Sequence, residues 1–432
     1  MKISSDKIIY SPSDLIRYFA SPFASWMDRY YLEHRDLVTP DAESEDQLLV
    51  ARTGNEHEQS VLSELETSDQ TIVKIERHDF DSAVVTTQKA ISERATIVYQ
   101  AALKNDRFEG YSDFLIIDES GSYGLWDTKL ARSPKPYYAV QLCCYAEMFA
   151  ATTQEAMPEK FGIILGDGQK VQFRTEDFFH YYRRIRDSFL AMQDNFSGNI
   201  MDRPEPLPGA DHGRWTSHAE YYFLDTDHLV QVAGITTGQI KKLKKGGISS
   251  MEQLSLASGS NIHKLAADTL EKLAAQALLQ CQTKVDRSLN PEAPARYEII
   301  IKPGGSLTSS GLETIPPEDK SDVFFDMEGY PLAPGGLEYL FGASTYERSF
   351  IDWWAHDRDE EKKAFEDFVD WVHNRWRQNP GMHIYHYAAY EESALKRLST
   401  RHDTRQEQVD DLLRNDVLVD LYKVVRQGLR IG

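Results

Sequence analysis

Two hydrophobic runs near residue 120 predict a β-hairpin. Residues 123–130 alternate between the two faces of a strand and are rich in aromatic side chains, and residues 108–117 form a second strand candidate. The polar segment Asp118–Gly121 between them favours a turn. Because side chains two residues apart on a strand point to the same face, Asp127 and Lys129 are predicted to project side by side.

Hydrophobic residues at helical spacing flank this hairpin on both sides. Residues 52–65 predict an amphipathic helix with His57 or Glu58 near its start. A second predicted helix follows the hairpin and carries Gln141 and Tyr145, which are four positions apart and so share one helical face. The expected order is therefore helix, hairpin and helix.

Clusters of chain-breaking residues divide the sequence into three predicted domains. Residues 204–209 contain three prolines and a glycine, and residues 290–294 contain two further prolines. The resulting expectation is an α/β domain at 1–205, a helical connector at 206–293 and an α/β domain at 294–432.

The hairpin carries residue types that suit metal-dependent phosphodiester hydrolysis. Asp113 and Asp127 lie on the two predicted strands, where both carboxylates can reach one ion. Mg²⁺ prefers oxygen ligands and keeps several waters, so two or three carboxylates suffice. A lysine such as Lys129 can orient the attacking water or stabilise charge on the phosphate. A single Asp-x-Lys pair is common on exposed strands, so the order of all the elements carries the prediction.

That order resembles the RecB-type nucleases of the PD-(D/E)xK superfamily, including the CRISPR-associated RecB-like exonucleases. Their pattern is Gly-x-x-x-(His/Glu) on a helix, Gly-x-x-Asp, (Asp/Glu)-x-Lys and Gln-x-x-x-Tyr. The matching pairs are Gly54 with Glu58, Gly110 with Asp113, Asp127 with Lys129, and Gln141 with Tyr145. The resemblance covers roughly residues 1–205 and implies a restriction-endonuclease-like fold.

The resemblance also implies a role for each matched residue. Glu58 or His57, together with Asp113 and Asp127, is expected to bind Mg²⁺ or Mn²⁺. Lys129 is the expected catalytic lysine, and the carbonyl of Thr128 is a further candidate ligand. Gln141 and Tyr145 are expected to contact DNA or to support the site.

Composition limits the remaining possibilities. The formal net charge of −20 argues against a protein whose whole surface grips nucleic acid. No hydrophobic run is long enough to span a membrane, and the three cysteines lack framework spacing, so the expected location is the cytoplasm. Many RecB-like relatives hold an iron–sulfur cluster with four cysteines. Here Ser21 stands where the first is expected, and no such cluster is predicted. His212 and His218 are either surface histidines or a different metal site.

The predicted connector resembles a helix-hairpin-helix unit, which presents backbone N–H groups to phosphates. Its basic residues are Lys241, Lys242, Lys244 and Lys245. They are candidate nucleic-acid contacts, and a helix-packing role for the unit is the alternative.

The C-terminal region carries a second acidic pattern. Asp326 and Glu328 end a hydrophobic strand in Asp-x-Glu, Glu391 follows a later strand, and Asp420 ends another. This resembles RNase H-like exonucleases of the DEDD type, particularly the YprB-like group, although Tyr387 and Glu391 replace the Asn and Asp of their second motif. The chain ends at Gly432 before another strand–helix unit, so the domain is expected to be incomplete and its site weak or inactive.

Together these patterns predict a Mg²⁺- or Mn²⁺-dependent DNA nuclease, acting as an exonuclease in repair or defence. The resemblance suggests a helicase domain or subunit as a partner, and no membrane. One alternative is a non-catalytic DNA-binding or assembly module of a larger helicase-nuclease. Another is a 3′–5′ exonuclease acting on RNA or DNA through the DEDD-like half.

Overall fold

The computed structural model describes residues 1–4, 7–66, 70–300 and 311–432. They form two compact units, Met1–Asp225 and Thr226–Gly432. The division into three domains stays a prediction. Residues just beyond its first boundary pack within the first unit, because Trp215 and Ala219 share a hydrophobic cluster with Phe23.

The first unit is built on a six-stranded mixed sheet with the order β3-β4-β5-β6-β7-β8, and β1 pairs with β2 outside it. The strands of this unit are β1 (Lys2–Ser4), β2 (Lys7–Ile9), β3 (Ile72–Lys74), β4 (Ile97–Lys104), β5 (Glu109–Ile117), β6 (Tyr123–Lys129), β7 (Lys160–Leu165) and β8 (Lys170–Arg174). The hairpin β5–β6 is antiparallel and β7 runs parallel to β6. The predicted hairpin is therefore present and lies in the middle of the sheet.

Helices cover both faces of this sheet. The helices of the unit are α1 (Pro12–Ala20), α2 (Pro22–Glu33), α3 (Glu45–Glu66), α4 (Phe80–Ser92), α5 (Pro136–Thr153), α6 (Thr175–Asp194) and α7 (Thr216–Asp225). The main core joins one face to α1, α4, α5 and α6, and a smaller cluster joins the other face to α3. The prediction that His57 and Glu58 lie near a helix start is wrong, because α3 begins at Glu45 and both residues are in its middle.

The second unit opens with helices and continues as a mixed α/β domain. Its helices are α8 (Thr237–Lys245), α9 (Met251–Ser255), α10 (Ala267–Leu289), α11 (Arg358–Gln378), α12 (Tyr390–His402), α13 (Gln406–Arg414) and α14 (Leu421–Gly428). Its strands are β9 (Tyr297–Ile299), β10 (Val323–Tyr330), β11 (Leu337–Thr345), β12 (Phe350–Trp354), β13 (Ile384–His386), β14 (Leu418–Asp420) and β15 (Leu429–Ile431).

The five-stranded sheet of the second unit has the order β12-β11-β10-β13-β14. Strands β10 to β12 form an antiparallel meander, and β13 and β14 run parallel to β10. The core lies between one face of this sheet and α11 to α13. After β14, α14 leads into β15, which pairs with β9 outside the sheet. Because β10, β13 and β14 run the same way, their carboxyl ends meet at one edge.

Candidate functional site

Asp113 and Asp127 lie on neighbouring strands in the first unit. Phe114 of β5 pairs with Trp126 of β6, and the two aspartates immediately flank this pair. Asp127 is only 3% exposed and Asp113 is half-buried. Leu125 belongs to the main core, so by alternation Asp127 and Lys129 lie on the face of the sheet that α5 covers.

Burial and mutual charge perturb this carboxylate pair. Burial, and then the charge of Asp127, raise the pKa of Asp113 to about 7. Two hydrogen bonds oppose that rise: Asp113 Oδ2 accepts from Thr128 N at 2.9 Å and from Thr128 Oγ1 at 3.0 Å. The site therefore holds more negative charge than its protein surroundings compensate, which favours a proton or a cation there.

Lys129 forms the third member of the cluster. Its Nζ lies 2.5 Å from Asp127 Oδ2. The contact is an ion pair between a buried carboxylate and a largely buried ammonium group. Burial lowers the pKa of Lys129, but the charges of Asp127 and Asp113 and the hydrogen bond to Asp127 together outweigh burial and raise the pKa overall. The ammonium group also lies 5.4 Å from the ring centroid of Tyr138 on α5, so a charged lysine is held next to the carboxylates.

Helix α5 supplies the predicted Gln141 and Tyr145. Tyr145 is buried, and its hydroxyl donates to Tyr111 O at 2.8 Å. Gly110 makes room for this ring, because a Cβ there would lie 3.3 Å from Tyr145 Cε1 and 3.1 Å from Pro12 Cδ. Gln141 lies one turn earlier and is half-buried. Tyr145 thus has a packing and hydrogen-bonding role beside the carboxylates, whose charges reach it.

Glu58 and His57 lie apart from the carboxylate pair. Glu58 Oε1 accepts from Tyr99 Oη at 2.8 Å and from Gln100 Nε2. His57 Nε2 lies 3.5 Å from the carbonyl oxygen of Ile164. The metal-binding role given to these two residues stays a prediction. Gln100 was missed by sequence reasoning, and it adopts φ +56° within β4, a conformation that sequence alone does not signal.

The two carboxylates offer oxygen ligands for a divalent cation. Among the residues that the structure describes, no three His, Cys, Asp or Glu side chains converge in a group suited to a metal ion. Asp113 and Asp127 still fit a hydrated Mg²⁺ or Mn²⁺, because such ions are commonly held by one or two carboxylates and retain waters. Burial and the charge of Asp127 raise the pKa of Asp113, and a bound cation would lower it again.

The acidic residues of the second unit lie at the edge where β10, β13 and β14 end. Asp326 and Glu328 are exposed on β10 and line a cavity of about 450 Å³. Glu391 is 3% exposed and lies 3.3 Å from His386 Nδ1. Burial raises the pKa of Glu391, and the charge of nearby Asp326 adds to the rise. The structure thus brings Glu391 close to Asp326.

Asp420 is held by backbone groups at the end of β14. Its Oδ1 accepts from Ala388 N at 3.0 Å, from Tyr422 N at 2.9 Å and from Lys423 N at 3.3 Å. These bonds cap α14 and fix the loop after β13, where Ala388 has φ +71°. A capping role therefore accounts for the observed contacts of Asp420, and its place in a metal site stays a prediction.

The other predicted residues occupy separate places. His212 is buried, with Nδ1 2.8 Å from Ser21 Oγ, and His218 Nε2 lies 2.8 Å from Thr39 O. Cys143 and Cys144 are buried on α5, whereas Cys281 belongs to the second unit. The four candidate nucleic-acid contacts lie on the last two turns of α8: Lys241, Lys242, Lys244 and Lys245.

Comparison with known proteins bears on the second unit. Residues 323–430 match the family model described as the RNase H superfamily. The C-terminal region is an RNase H-like domain. Its superfamily indicates nuclease-type phosphodiester hydrolysis, generally with divalent metals. Comparison with curated proteins gives no match.

A solved structure, the crystal structure of SSO0001, was also found. It is 14% identical, and the match covers 46% of this chain and 82% of that chain at a TM-score of 0.22. That TM-score is too low to assign a fold. No helix in the described part of the chain is long and apolar enough to cross a membrane.

Proposed function

We propose that the chain is a metal-dependent nuclease that hydrolyses DNA phosphodiesters at Asp113, Asp127 and Lys129. One observation carries the proposal: two carboxylates and a lysine lie together on β5 and β6, and burial plus the charge of Asp127 raise the pKa of Asp113 to about 7. A RecB-like assignment of residues 1–205 and a role in repair or defence belong to the same proposal. The RNase H-like domain supports nuclease chemistry in the same chain.

In this mechanism Asp113 and Asp127 would hold a Mg²⁺ or Mn²⁺ ion. When bound, the ion supplies polarisation of the phosphoryl oxygen and a lowered pKa for an attacking water. Thr128 fixes the orientation of Asp113 through its N–H and hydroxyl groups. Lys129 is kept charged by its acidic neighbours and would stabilise negative charge that develops on the phosphate.

The test is degradation of linear DNA by the purified full chain with Mn²⁺. We expect Asp127→Asn and Lys129→Met each to lower the rate by about 100-fold or more, the usual cost of removing a group that stabilises the transition state. Asp167→Asn, on the exposed β7–β8 turn, is the matched control and should cut at the wild-type rate. Equal rates for all four proteins would refute the assignment.

The Glu58→Gln variant tests whether Glu58 is a third metal ligand or only a hydrogen-bond partner of Gln100. If Glu58 binds the metal, the variant should need a higher Mn²⁺ concentration for half-maximal rate. If Glu58 only anchors Gln100, the metal requirement should stay unchanged. Circular and linear substrates of equal sequence then distinguish endonuclease from exonuclease action.

A second candidate activity belongs to the RNase H-like domain. It is favoured by the family match and by Asp326, Glu328 and Glu391 at the carboxyl edge of its sheet. Asp326→Asn tests it on matched single-stranded RNA and DNA, with Asp359→Asn on α11 as control. Activity that survives Asp127→Asn but is lost in Asp326→Asn would move the nuclease function to the second unit.

A further inference from the structure

A cavity of about 470 Å³ opens on the face of the six-stranded sheet opposite the carboxylate pair. Its apolar wall includes Ile116, Trp126 and Ile164, which belong to the cluster on the α3 side. This volume lies within the range typical of small-molecule sites. None of the nuclease residues proposed above lines the cavity.

The indole of Trp126 forms a flat, fixed wall. It lies so close to Gly162 on β7 that a Cβ at that position would be 2.3 Å from two ring carbons. Gly124, which also lines the cavity, would place a Cβ 3.5 Å from Trp126 Nε1. Two glycines therefore leave space around this ring, and the part of the indole that lines the cavity offers a stacking surface for a planar ligand.

The rim of the cavity carries two lysines and two carboxylates. Lys160 and Lys170 both line it, are exposed and form no ion pair with a described residue. Asp118 and Glu159 also line it and balance the charge of the two lysines. Asp118 Oδ1 accepts from Ser120 N at 2.9 Å and from Ser122 N at 3.1 Å, so this carboxylate is already engaged by its own turn. Two lysines beside an aromatic wall complement a ligand with an aromatic ring and an anionic group.

We propose that this cavity binds a nucleoside monophosphate, with its base against Trp126 and its phosphate at Lys160 and Lys170. Ser122 and Gln172 also line the cavity and offer hydrogen bonds to the polar edge of a base. Stacking on an aromatic side chain tolerates any base because every base has a π face. This site is separate from the proposed nuclease centre and does not depend on it.

The test is calorimetric titration of the full chain with AMP in EDTA, so that no metal bridges phosphate to the carboxylates. We expect saturable binding at one site, with adenosine and inorganic phosphate each binding at least about tenfold more weakly because each lacks one half of the contacts. A 5′-phosphorylated tetranucleotide shows whether the ligand is a free nucleotide or the end of a nucleic-acid chain. If the tetranucleotide binds more tightly than AMP, the ligand is a chain end.

Variants then locate the site. Lys160→Ala/Lys170→Ala should weaken AMP binding about tenfold or more, whereas Lys272→Ala/Lys362→Ala removes the same charge from α10 and α11 and should not. Trp126→Leu should also weaken binding, and Trp126→Phe, which keeps an aromatic ring over Gly162, should retain most of it. Asp127→Asn should bind AMP like wild type whether or not it cuts DNA. Absence of AMP binding, or equal affinity in wild type and the Lys160/Lys170 variant, would overturn the proposal.

Discussion

Two glycines of the predicted nuclease motif have different physical reasons for being glycine. A Cβ at Gly110 would lie 3.1 Å from Pro12 Cδ and 3.3 Å from Tyr145, whereas a Cβ at Gly54 meets only Leu130 Cδ1 at 3.9 Å. We predict that Gly110→Ala destabilises the first unit by about 1–3 kcal/mol through overpacking. Gly54→Ala, in the interior of α3, should stabilise it by about 0.5–1 kcal/mol. Thermal unfolding of both variants measures this, and equal shifts in Tm would contradict the packing argument.

The pKa of Asp113 predicts how stability depends on pH without metal. A carboxyl group whose pKa is raised from 3.8 to about 7 on folding binds more protons in the folded state between these values. The free energy of unfolding should therefore fall as pH rises from about 4 to about 7 in EDTA. Asp113→Asn should flatten this part of the profile. If the free energy of unfolding changes between pH 4 and pH 7 by the same amount in wild type and in Asp113→Asn, the carboxyl group of Asp113 is ionised throughout that interval.

At the residue scale, the sequence predicted what depends on periodicity alone. The placement of Asp127 and Lys129 on one face follows from the two-residue repeat of a strand, and the structure has this arrangement. It could not predict Gln100 or the contacts of Thr128. The position of Gln100 depends on its positive φ in β4, and the contacts of Thr128 depend on the hydrogen-bond donors that lie near the half-buried Asp113. Both are determined by tertiary packing.

At the scale of elements, α3 shows why a helix boundary was misplaced. Its first two turns leave Leu48 53% exposed and Val50 49% exposed. No hydrophobic face is buried there, so no helical periodicity marks the true start at Glu45. The buried Val61 and Leu62 lie in the second half and made only that part recognisable. Helix α5 shows the opposite: its buried residues extend from Tyr138 to Thr152, and the helix predicted to carry Gln141 and Tyr145 is present.

The packing of α11 against α12 depends on a buried charge. Glu361 on α11 is fully buried and accepts from Glu338 N at 2.7 Å and from Arg358 Nη1 at 2.9 Å. Its other partners, His402 and Arg401, lie at 2.8 Å and 3.3 Å on α12. We predict that Glu361→Ala destabilises the second unit by about 3 kcal/mol, because it leaves the cationic partners uncompensated.

The same network gives a pH prediction for the second unit. Burial pushes the pKa of Glu361 up, but the hydrogen bonds from Glu338 N–H, Arg358 and His402 outweigh it and hold the pKa below its usual value. Its contribution is therefore complete above the pKa of the unfolded chain, about 4.3, and is lost as pH falls through the lower folded value. Glu361→Gln should remove this acid-induced loss. If Glu361→Gln and wild type lose stability in parallel below pH 4, other carboxylates are responsible.

At the scale of the whole molecule, three strands of the second unit could be predicted, namely β10, β13 and β14, but the order of the strands in the sheet could not. Hydrophobic runs marked β10 and the strand before Asp420, yet β10 pairs with β13, more than fifty residues later in the chain. Local patterns carry no information on such crossovers. The parallel pairing is what brings Asp326 and Glu391 to one edge, so the geometry of this site depended on the fold, whereas the hairpin site depended only on neighbouring strands.

The net charge of −20 makes any DNA binding depend on local basic groups, and α8 is the candidate. If the four lysines contact phosphates, replacing Lys241, Lys242, Lys244 and Lys245 by alanine should weaken the salt dependence of DNA binding. The magnitude of the slope of log K, the DNA association constant, against log salt concentration should fall by about 3–4, since each phosphate contact on duplex DNA contributes about 0.9. Fluorescence anisotropy with labelled duplex in EDTA measures this without cleavage. An unchanged slope would assign α8 to helix packing. Asp127→Asn should show the same salt dependence as wild type. If wild type binds DNA but does not cleave it, the protein is a DNA-binding module rather than a nuclease.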